Sequence, residues 1–185
     1  MHTGITDFNP GSGISNQTSN GQEDVFVQKL DSSGNLIWLN SMGGIDTESP
    51  GTISIDNNDN IYISGEYQYT VDFDPGGGTF YLTAIQSFDV FVEKFNSDGD
   101  LIWVKTFGGT NVDFGKSIKV SQSGDIYITG EYYGNVDFDP GTGVNNVASQ
   151  GGDGYLLKLS SDGNYIWVKT FQNSDATWGY SIGED

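Results

Sequence analysis

One acidic hexapeptide occurs three times in this chain. VDFDPG stands at 71–76 and again at 136–141, and TDFNPG stands at 6–11. In an extended segment alternate side chains point to the same side, so each Asp-x-Asp pair presents two carboxylates together. Carboxylates and backbone carbonyls are the ligands that Ca²⁺ prefers. The candidate metal ligands of this sequence are therefore Asp72, Asp74, Asp137 and Asp139.

The same acidic pairs also have a purely structural interpretation. Asp74 precedes Pro75, which favours an extended backbone, and its side chain can accept hydrogen bonds from the following Gly N–H groups as an Asx-turn. Asn9 replaces the second Asp in TDFNPG and suits either purpose. Both interpretations place Phe73 and Phe138 on the opposite side, as anchors of the segment on the rest of the fold. We favour the turn, with calcium as the alternative.

The composition limits other chemistry. The chain has no Cys, and its single His, His2, lies beside the start, where we expect disorder. No Ser–His, Cys–His or zinc arrangement is available. The 25 Asp and Glu residues offer many glycosidase-type pairs of acids, but a working active site would interrupt the repeat at one position, and the complete repeats match closely. The net charge of −18 repels nucleic acid and anionic membranes, and no run reaches the roughly 18 apolar residues of a membrane span. We predict that the protein is not an enzyme.

Several recurring residues are better explained by packing than by binding. The acidic loops DNNDN (56–60) and NSDGD (96–100) lack the terminal Glu of a calcium loop, so we interpret them as hairpin turns. Tryptophans recur at spacings of 65 and 64 residues, which favours packing between repeats over sugar stacking, and lysines recur as expected partners for carboxylates. These residues are Trp38, Trp103, Trp167, Lys29, Lys94 and Lys158, and Trp178 replaces Phe114 as an anchor of the same kind.

The long repeat indicates the fold class. DVFVQKLDSSGNLIWLNSM (24–42), DVFVEKFNSDGDLIWVKTF (89–107) and DGYLLKLSSDGNYIWVKTF (153–171) align along their lengths. Each period of about 65 residues contains four runs rich in Ile, Val, Tyr, Phe and Trp, joined by hairpin-type turns, and no helical stripe. Four-stranded antiparallel units in tandem are typical of β-propeller blades. The sequence therefore predicts an all-β fold of such blades.

The repeat also predicts the domain organisation, a single repeat array over 1–185 that makes a partial propeller. Two complete blades and two partial ones do not close a ring of about six to eight. A short extra strand is expected after each Pro-Gly, within the segment 68–88 and its copies. The array divides into a half-blade at 24–42, blades at 51–107 and 116–171, and the start of a further blade at 178–185. The strands are expected at about 51–55, 60–67, 89–96, 100–107, 116–121, 125–132, 154–160, 164–171 and 179–183.

The run SGDIYITGEYYGNVDFDPG…DGYLLKLSSDGNYIWVKTF resembles the bacterial seven-bladed β-propeller repeat (SBBP) family, from about residue 7 onward. The resemblance implies a large secreted or cell-surface protein, notably of Bacteroidetes-type bacteria, without common catalytic residues. It therefore implies an extracellular or surface location and packing against further blades. The chain departs from the family in blade number and in lacking a C-terminal sorting domain, so we interpret it as a fragment. Its start, MHTGITDFNP, does not have the pattern of a secretory signal.

Three functions stay open at this point. The first is a non-catalytic scaffold for adhesion or for protein or ligand interaction. The second is a calcium-dependent carbohydrate-binding module, and the third is a spacer that holds other domains apart. A propeller-type glycosidase fragment ranks below them. The partner, protein or glycan, is not identified by the sequence, and Ca²⁺ is the one cofactor that the sequence raises.

Overall fold

The computed structural model describes residues 1–172 and 175–183. These residues form sixteen β-strands and no helix, as the run composition predicts. In chain order the strands are β1 (Ile5–Asp7), β2 (Asn16–Thr18), β3 (Val25–Leu30), β4 (Leu36–Gly44), β5 (Ser49–Ile55), β6 (Ile61–Tyr67), β7 (Thr70–Asp72), β8 (Tyr81–Thr83), β9 (Asp89–Phe95), β10 (Leu101–Gly109), β11 (Asp113–Val120), β12 (Ile126–Tyr132), β13 (Asn135–Asp137), β14 (Asn146–Ala148), β15 (Asp153–Leu159) and β16 (Tyr165–Phe171).

Two complete four-stranded blades follow one another along the chain. The first blade has the strand order β5-β6-β9-β10 and the second blade has the order β11-β12-β15-β16. Strands β3 and β4 form a half-blade before them. All pairings inside these units are antiparallel. The all-β fold and the four-stranded blades that the sequence predicts are therefore confirmed.

The hairpin turns inside the blades are closed by the side chain of their first residue. Asp56 Oδ1 accepts hydrogen bonds from the N–H groups of Asn58 and Asn60, at 2.8 and 2.9 Å. In the turn at 96–100, Asn96 Oδ1 accepts two equivalent bonds, each of 2.9 Å. Both acidic loops are thus hairpin turns, as predicted. Asp59 adopts the left-handed φ of 60° that a glycine takes in the other turn, where Gly99 has φ 88°.

An extra hairpin joins each complete blade to the unit before it. We call the hairpins β7–β8 and β13–β14 the first and second straps. The first strap pairs with β4 through Gly43↔Asp72 and Gly44↔Val71, and the second strap pairs with β10 in the same way. The sequence predicts the short extra strand but not that it extends the outer strand of the preceding unit. This pairing explains why β10 continues to Gly109, beyond the predicted end near 107.

Hydrophobic side chains are buried mainly between consecutive units. One cluster lies between the half-blade and the first blade, which we call the first interface, and another lies between the two blades, the second interface. Each strap contributes a buried Phe whose ring meets a Tyr at the end of the second strand: Phe73 meets Tyr67 and Phe138 meets Tyr132, both with centroids 5.1 Å apart. The predicted anchoring by Phe73 and Phe138 is confirmed.

Two predictions near the chain ends are wrong. His2 is ordered and 6% exposed, because it forms a β-bridge with Asp24. Tyr67 and Tyr132 occupy the equivalent positions of the two blades and pair in the same way with the first residue of the third strand. The strand predicted at about 179–183 does not form, because this segment makes no ladder of backbone hydrogen bonds with a described strand; the N–H of Gly179 beside it donates to the carbonyl of Gly130 in β12 at 3.2 Å. Positions 184 and 185 lie outside the described residues.

Candidate functional site

The predicted acidic pair of the first strap is engaged with the backbone of its own hairpin. Asp72 Oδ1 accepts hydrogen bonds from the N–H groups of Asp74, at 3.1 Å, and Phe80, at 2.7 Å. Asp74 Oδ1 accepts one from the N–H of Gly76 at 2.8 Å. Asp72 therefore bridges the two strands of the strap, and Asp74 closes the Asx-turn that the sequence predicts.

The second strap repeats this arrangement. Asp137 Oδ1 accepts hydrogen bonds from the N–H groups of Asp139, at 3.1 Å, and Asn145, at 2.7 Å. Asp139 Oδ1 accepts one from the N–H of Gly141 at 2.8 Å. The agreement with the first strap shows that the hydrogen-bond pattern belongs to the repeat and not to a single blade.

The TDFNPG copy shows that the second carboxylate is not required for the turn. In the hairpin β1–β2, Asn9 Oδ1 accepts the hydrogen bond from Gly11 N–H at 2.8 Å. Asp7 takes the bridging role, and the N–H groups of Ser15 and Asn9 lower the pKa of its carboxyl. An amide oxygen therefore replaces the carboxylate with the same geometry.

The calcium hypothesis for Asp72, Asp74, Asp137 and Asp139 stays a prediction. Each strap brings two of these carboxyl groups onto one short turn, and Ca²⁺ takes about six to eight oxygen ligands. Within 1–172 and 175–183, no group of three or more His, Cys, Asp or Glu side chains is arranged to hold a metal ion. Backbone carbonyls, side-chain amide oxygens or waters would therefore have to supply most of the ligands.

A cleft opens between the first strap and the neighbouring blade turn. Its volume is about 450 Å³, and we call it the acidic cleft. Three carboxyl groups and two aromatic rings border it, a combination that can stack on a sugar ring and accept hydrogen bonds from its hydroxyls. These residues are Asp74, Asp98, Asp100, Phe80 and Trp103.

Three of the six recurring Trp and Lys side chains form hydrogen bonds with the next unit. Trp38 Nε1 and Lys29 Nζ both donate to the carbonyl of Ser97, at 3.1 and 2.8 Å, which confirms the packing interpretation of Trp38. Lys94 donates in the same way to the carbonyl of Ser161 at 3.3 Å. The predicted carboxylate partners are wrong for these two lysines, because the neighbouring turn presents a backbone carbonyl within their reach.

Three of the remaining recurring residues make the contacts expected from the sequence, and Trp178 does not. Lys158 pairs with Asp125 at 2.8 Å, as expected. The rings of Trp103 and Trp167 each meet a tyrosine of the second strand of their own blade, with centroids 6.2 Å apart. Trp178 is 55% exposed, so it does not anchor the segment in the way expected from Phe114.

A series of buried carboxyl groups was missed by sequence reasoning. Asp24, Asp89 and Asp153 lie at the start of the third strand of each unit and are at most 3% exposed. Asp24 and Asp89 each accept a hydrogen bond from the N–H four residues earlier, at 2.8 and 2.9 Å. Burial raises the pKa of Asp89 to about 6. The sequence signal that could have indicated these buried acids is the recurrence of an Asp directly before each of the three aligned apolar runs.

A second pair of buried acids lies where consecutive units meet. Glu48 accepts a hydrogen bond from Gly44 N–H at 3.1 Å, and Asp113 accepts one from Gly109 N–H at 2.8 Å. Burial raises the pKa of each group to about 7, and the charges of Asp24 and Asp89 add to the effect at Glu48 and Asp113 respectively. Both acids thus position the Gly-Gly segment that receives the strap.

Glu93 is one of the fully buried acids of the described chain segments. It is 0% exposed, and neither carboxyl oxygen has a hydrogen-bond partner among the described residues. Burial raises its pKa well above the ordinary value for a glutamic acid. The cavity that it lines at the first interface also includes Val25, Met42, Glu48, Val71, Phe73 and Phe91. The cavity is small and its lining is mainly apolar, which favours the neutral form of Glu93. Such surroundings do not favour a role for Glu93 in a catalytic pair of acids.

The comparisons with known proteins agree with a repeat architecture. No protein-family model matches the chain. The chain is 25% identical over 151 residues to the regulatory protein FlaEY of Caulobacter vibrioides. It is also 25% identical over 183 residues to an uncharacterized WD repeat-containing protein of Acanthamoeba polyphaga mimivirus.

Both relatives are much longer than the part that aligns with this chain. The alignments cover 82% and 94% of this chain but 15% and 11% of the respective relatives, so the chain spans only a small part of their length. Among the described residues, no helix has the length and apolar character needed to cross a membrane. The sheet topology and the repeat-containing relative together identify the fold as an all-β array of propeller-like blades.

Proposed function

We propose that this chain is a non-catalytic repeat scaffold that takes part in protein–protein interaction. The observation that carries the proposal is the use of the strap acids, which accept the same backbone hydrogen bonds in each copy. An active site would place a distinct set of groups in one blade. The relatives support this function, since one is described as a regulatory protein and the other as WD repeat-containing.

The proposal extends to the setting of the scaffold. The resemblance to the SBBP repeats supports a place in a larger secreted or cell-surface protein, with adhesion or ligand interaction as its role. The net charge of −18 favours partners with basic surfaces and disfavours nucleic acid. Further blades of the same kind are the partners that the repeat itself favours.

The acidic cleft favours a second candidate, a calcium-dependent carbohydrate-binding module. Asp74 belongs both to a strap pair and to this cleft, where Trp103 and Phe80 provide ring faces. A Ca²⁺ ion on the strap could hold sugar hydroxyls at the cleft. This candidate requires calcium and glycan to stabilise the folded chain, whereas the scaffold does not.

A thermal melt separates the two candidates. The full chain is melted in excess EDTA, in millimolar calcium, and in calcium with a panel of neutral glycans. A ligand that binds only the folded state at a hundredfold excess over Kd adds about 2.7 kcal/mol of stability, which moves the melting temperature by several degrees. We expect the melting temperature to stay unchanged in all three conditions.

A pair of variants provides the matched control. Asp74→Asn reproduces the amide that Asn9 already uses in the turn, so it should preserve the fold while weakening an ionic site. A calcium-induced rise in the melting temperature that is reduced in Asp74→Asn and unchanged in Asp46→Asn, away from the straps, would replace the scaffold proposal by the carbohydrate-binding one.

A further inference from the structure

The first strap exposes aromatic and aliphatic side chains at positions where the other hairpins of the repeat are polar or carry glycine. Four such residues are between 44% and 62% exposed, and we call them the strap surface. They are Tyr69, Phe80, Tyr81 and Ile85. The second strap holds Gly134, Asn145, Asn146 and Gln150 at these positions, and the hairpin β1–β2 holds Gly4, Ser15, Asn16 and Asn20. The fold of the hairpin therefore does not require the exposed rings.

The three hairpins share one backbone arrangement. The N–H of Ala84 donates to the carbonyl of Tyr69 at 2.9 Å, and the carbonyls of Gly4 and Gly134 accept the equivalent bonds at 3.0 and 2.6 Å. Both straps also pair with the preceding unit in the same register. The strap surface is thus a difference of side chains on a common backbone, and it lies where described units stand on both sides of it.

Tyr69 adopts a backbone conformation that favours glycine. Its φ is 58°, and Gly4 and Gly134 have φ of 58° and 71° at the same repeat position. A bulky side chain in this left-handed region strains the backbone. The strained tyrosine lies at the base of the strap and is more than half exposed. Strained residues of this kind are typical of binding sites, where the side chain is needed for a contact.

The acidic cleft adjoins the strap surface, because Phe80 belongs to both. Asp74, Asp98 and Asp100 border the cleft, and none of the three forms an ion pair within the described part of the chain. Ring faces and uncompensated carboxylates therefore lie side by side on the outer rim of the first interface.

The corresponding place at the second strap lacks this combination. Asn145 takes the position of Phe80, and its side chain donates to the hydroxyl of Tyr165 at 2.5 Å. Lys105 takes the position of Asn40 and brings a positive charge to the outer strand of the preceding unit. The exposed rings and the unbalanced negative charge thus distinguish the first strap from the second.

We infer that the strap surface and the acidic cleft together bind an arginine-bearing segment of a partner protein. The inference rests on the proposed scaffold function and names its partner by chemistry. A guanidinium group is planar, so it stacks on an aromatic face and also donates two hydrogen bonds to a carboxylate. Tyr and Arg are also enriched among the residues that carry most of the energy of protein interfaces.

The other occupants fit the combination less well. A neutral sugar uses the ring faces but leaves the carboxylates of the cleft without a counter-charge. A second copy of this chain, with its net charge of −18, would bring like charges together. A cationic segment that also carries apolar side chains uses both parts of the site.

The dimensions of the strap set the length of the segment. An extended chain rises about 3.3 Å per residue, so the four steps from Tyr81 to Ile85 cover roughly 13 Å. An extended segment of about five residues spans this distance. An arginine placed beside Phe80 in the cleft leaves the apolar residues of the segment to cover Tyr81, Ile85 and Tyr69.

The test titrates two synthetic peptides into the full chain by calorimetry. In the first peptide arginine alternates with leucine between terminal glycines, and in the second lysine replaces each arginine. We expect saturable one-to-one binding of the arginine peptide and binding of the lysine peptide that is weaker by about fivefold, because an ammonium group stacks less well on a ring. Raising the NaCl concentration from about 0.05 to about 0.5 M should weaken the arginine peptide by about tenfold, because salt screens exposed charges.

An exchange variant locates the bound peptide. It gives the first strap the residues of the second strap, so the backbone that it needs is already used in this chain. We expect binding to weaken by about tenfold or more, while the midpoint of urea unfolding stays equal or rises because the strained tyrosine is removed. The matched control is Val144→Asn at an exposed site of the second strap, which should leave binding unchanged. The exchange variant carries Tyr69→Gly, Phe80→Asn, Tyr81→Asn and Ile85→Gln.

A second variant tests the charge of the cleft. Asp98→Asn and Asp100→Asn together remove two carboxylates from an exposed turn. We expect the arginine peptide to bind about tenfold more weakly to this variant, with a smaller dependence on salt than in the unmodified chain.

Several results would overturn the inference. They are the absence of saturable binding, equal binding of the two peptides, and equal binding by the exchange variant. A neutral glycan that displaces the peptide would assign the surface to carbohydrate, and dimers that the exchange variant abolishes would assign it to a second copy. If the peptide fails to bind while calcium and glycans leave the melting temperature unchanged, the scaffold function stands and only the strap surface loses its assignment.

Discussion

At the second interface Leu157 is fully buried among aromatic and aliphatic side chains, whereas Glu93 occupies the same repeat position at the first interface. Around them the neighbours differ little in character: Tyr155 and Leu159 flank Leu157, and Phe91 and Phe95 flank Glu93. The half-blade carries Gln28 at the equivalent place. One position of the repeat therefore holds an acid, an amide and an aliphatic side chain within one fold.

This difference shows which interactions define the repeat. The straps pair with the preceding unit through the same register at both interfaces, and both strap turns use the same carboxylate–backbone hydrogen bonds. The backbone contacts are thus shared, while the buried side chain between the units varies in polarity. We conclude that the position of each blade is set mainly by its strap and turns, and that the stability of each interface is set by the side chains it buries.

The largest effect is expected when the second interface is given the glutamate that the first interface has at the same repeat position. Leu157→Glu places an acid without a partner in an apolar cluster, and we expect a loss of about 4 kcal/mol in the free energy of unfolding. Urea unfolding at pH 8 measures it. Leu157→Met, which conserves volume, should cost less than about 1.5 kcal/mol. Equal midpoints for the two variants would show that the second interface tolerates charge.

Removal of the strap anchors should have the next largest effect. Phe138→Ala opens a cavity beside Tyr132 and Tyr155, and we expect a loss of about 3 kcal/mol. Phe73→Ala should cost about 1 kcal/mol less, because water admitted by the truncation can hydrate Glu93. Chemical denaturation compares the two variants, with Tyr81→Ala on the exposed strand β8 as the control. A larger loss for Phe73→Ala than for Phe138→Ala would contradict the expected hydration of Glu93 in the truncated protein.

The reverse exchange should stabilise the protein. Glu93→Leu replaces an acid without a partner among the described residues by the residue of the second interface, and we expect a gain of about 2 kcal/mol at pH 8. Thermal and urea melts of Glu93→Leu and the unmodified chain measure the gain. A loss of stability would show that Glu93 has a favourable role that the first interface requires.

The pH dependence isolates the ionisation of Glu93. Its pKa in the folded chain is raised above the ordinary 4.5, so the folded state binds its proton more tightly than the unfolded state does. The resulting stability is fully present below about pH 4.5 and is lost as the pH rises through the folded pKa. In Glu93→Gln this part of the pH dependence should vanish, while the parts due to Glu48 and Asp113, both with a pKa of about 7, should remain. Parallel curves for the two proteins would contradict the assignment.

The smallest effect is expected from an ion pair that, among the described residues, is present at the second interface and has no counterpart at the first. Lys116 of β11 contacts Glu66 of β6 at 3.0 Å, and Gly51 stands at the matching position of the first blade. Because the lysine is partly exposed, Lys116→Met should cost about 0.5–1 kcal/mol. Lys169→Met, at an exposed site, serves as the control in the same urea titration. Equal midpoints for the two variants would show that the pair adds no stability.

Much of the fold could be predicted from the sequence. The 65-residue period, the alternation of apolar runs with turn residues, and the Asx-turn at Pro-Gly all depend on neighbours in the chain, and each is found in the structure. The same local reasoning gave the Phe73 and Phe138 anchors. It failed for Lys29 and Lys94, whose partners are carbonyl groups in the next unit. Spacing along the chain does not specify which atom of a distant turn lies within reach of a flexible side chain.

The sequence by itself determined the strands, the turns and the grouping of the strands into blades of four. These features depend on hydrogen-bonded hairpins, which are built from residues a few positions apart. Only the tertiary structure decided that each strap pairs with the preceding unit, that Glu93 and Glu48 share one cavity, and that Phe80 of the first strap borders one cleft with Asp98 and Asp100. These features depend on how the blades stack. The physical reason is that burial, and with it the ionisation of an acid or the availability of an apolar surface, is a property of the packed neighbours and not of the local segment.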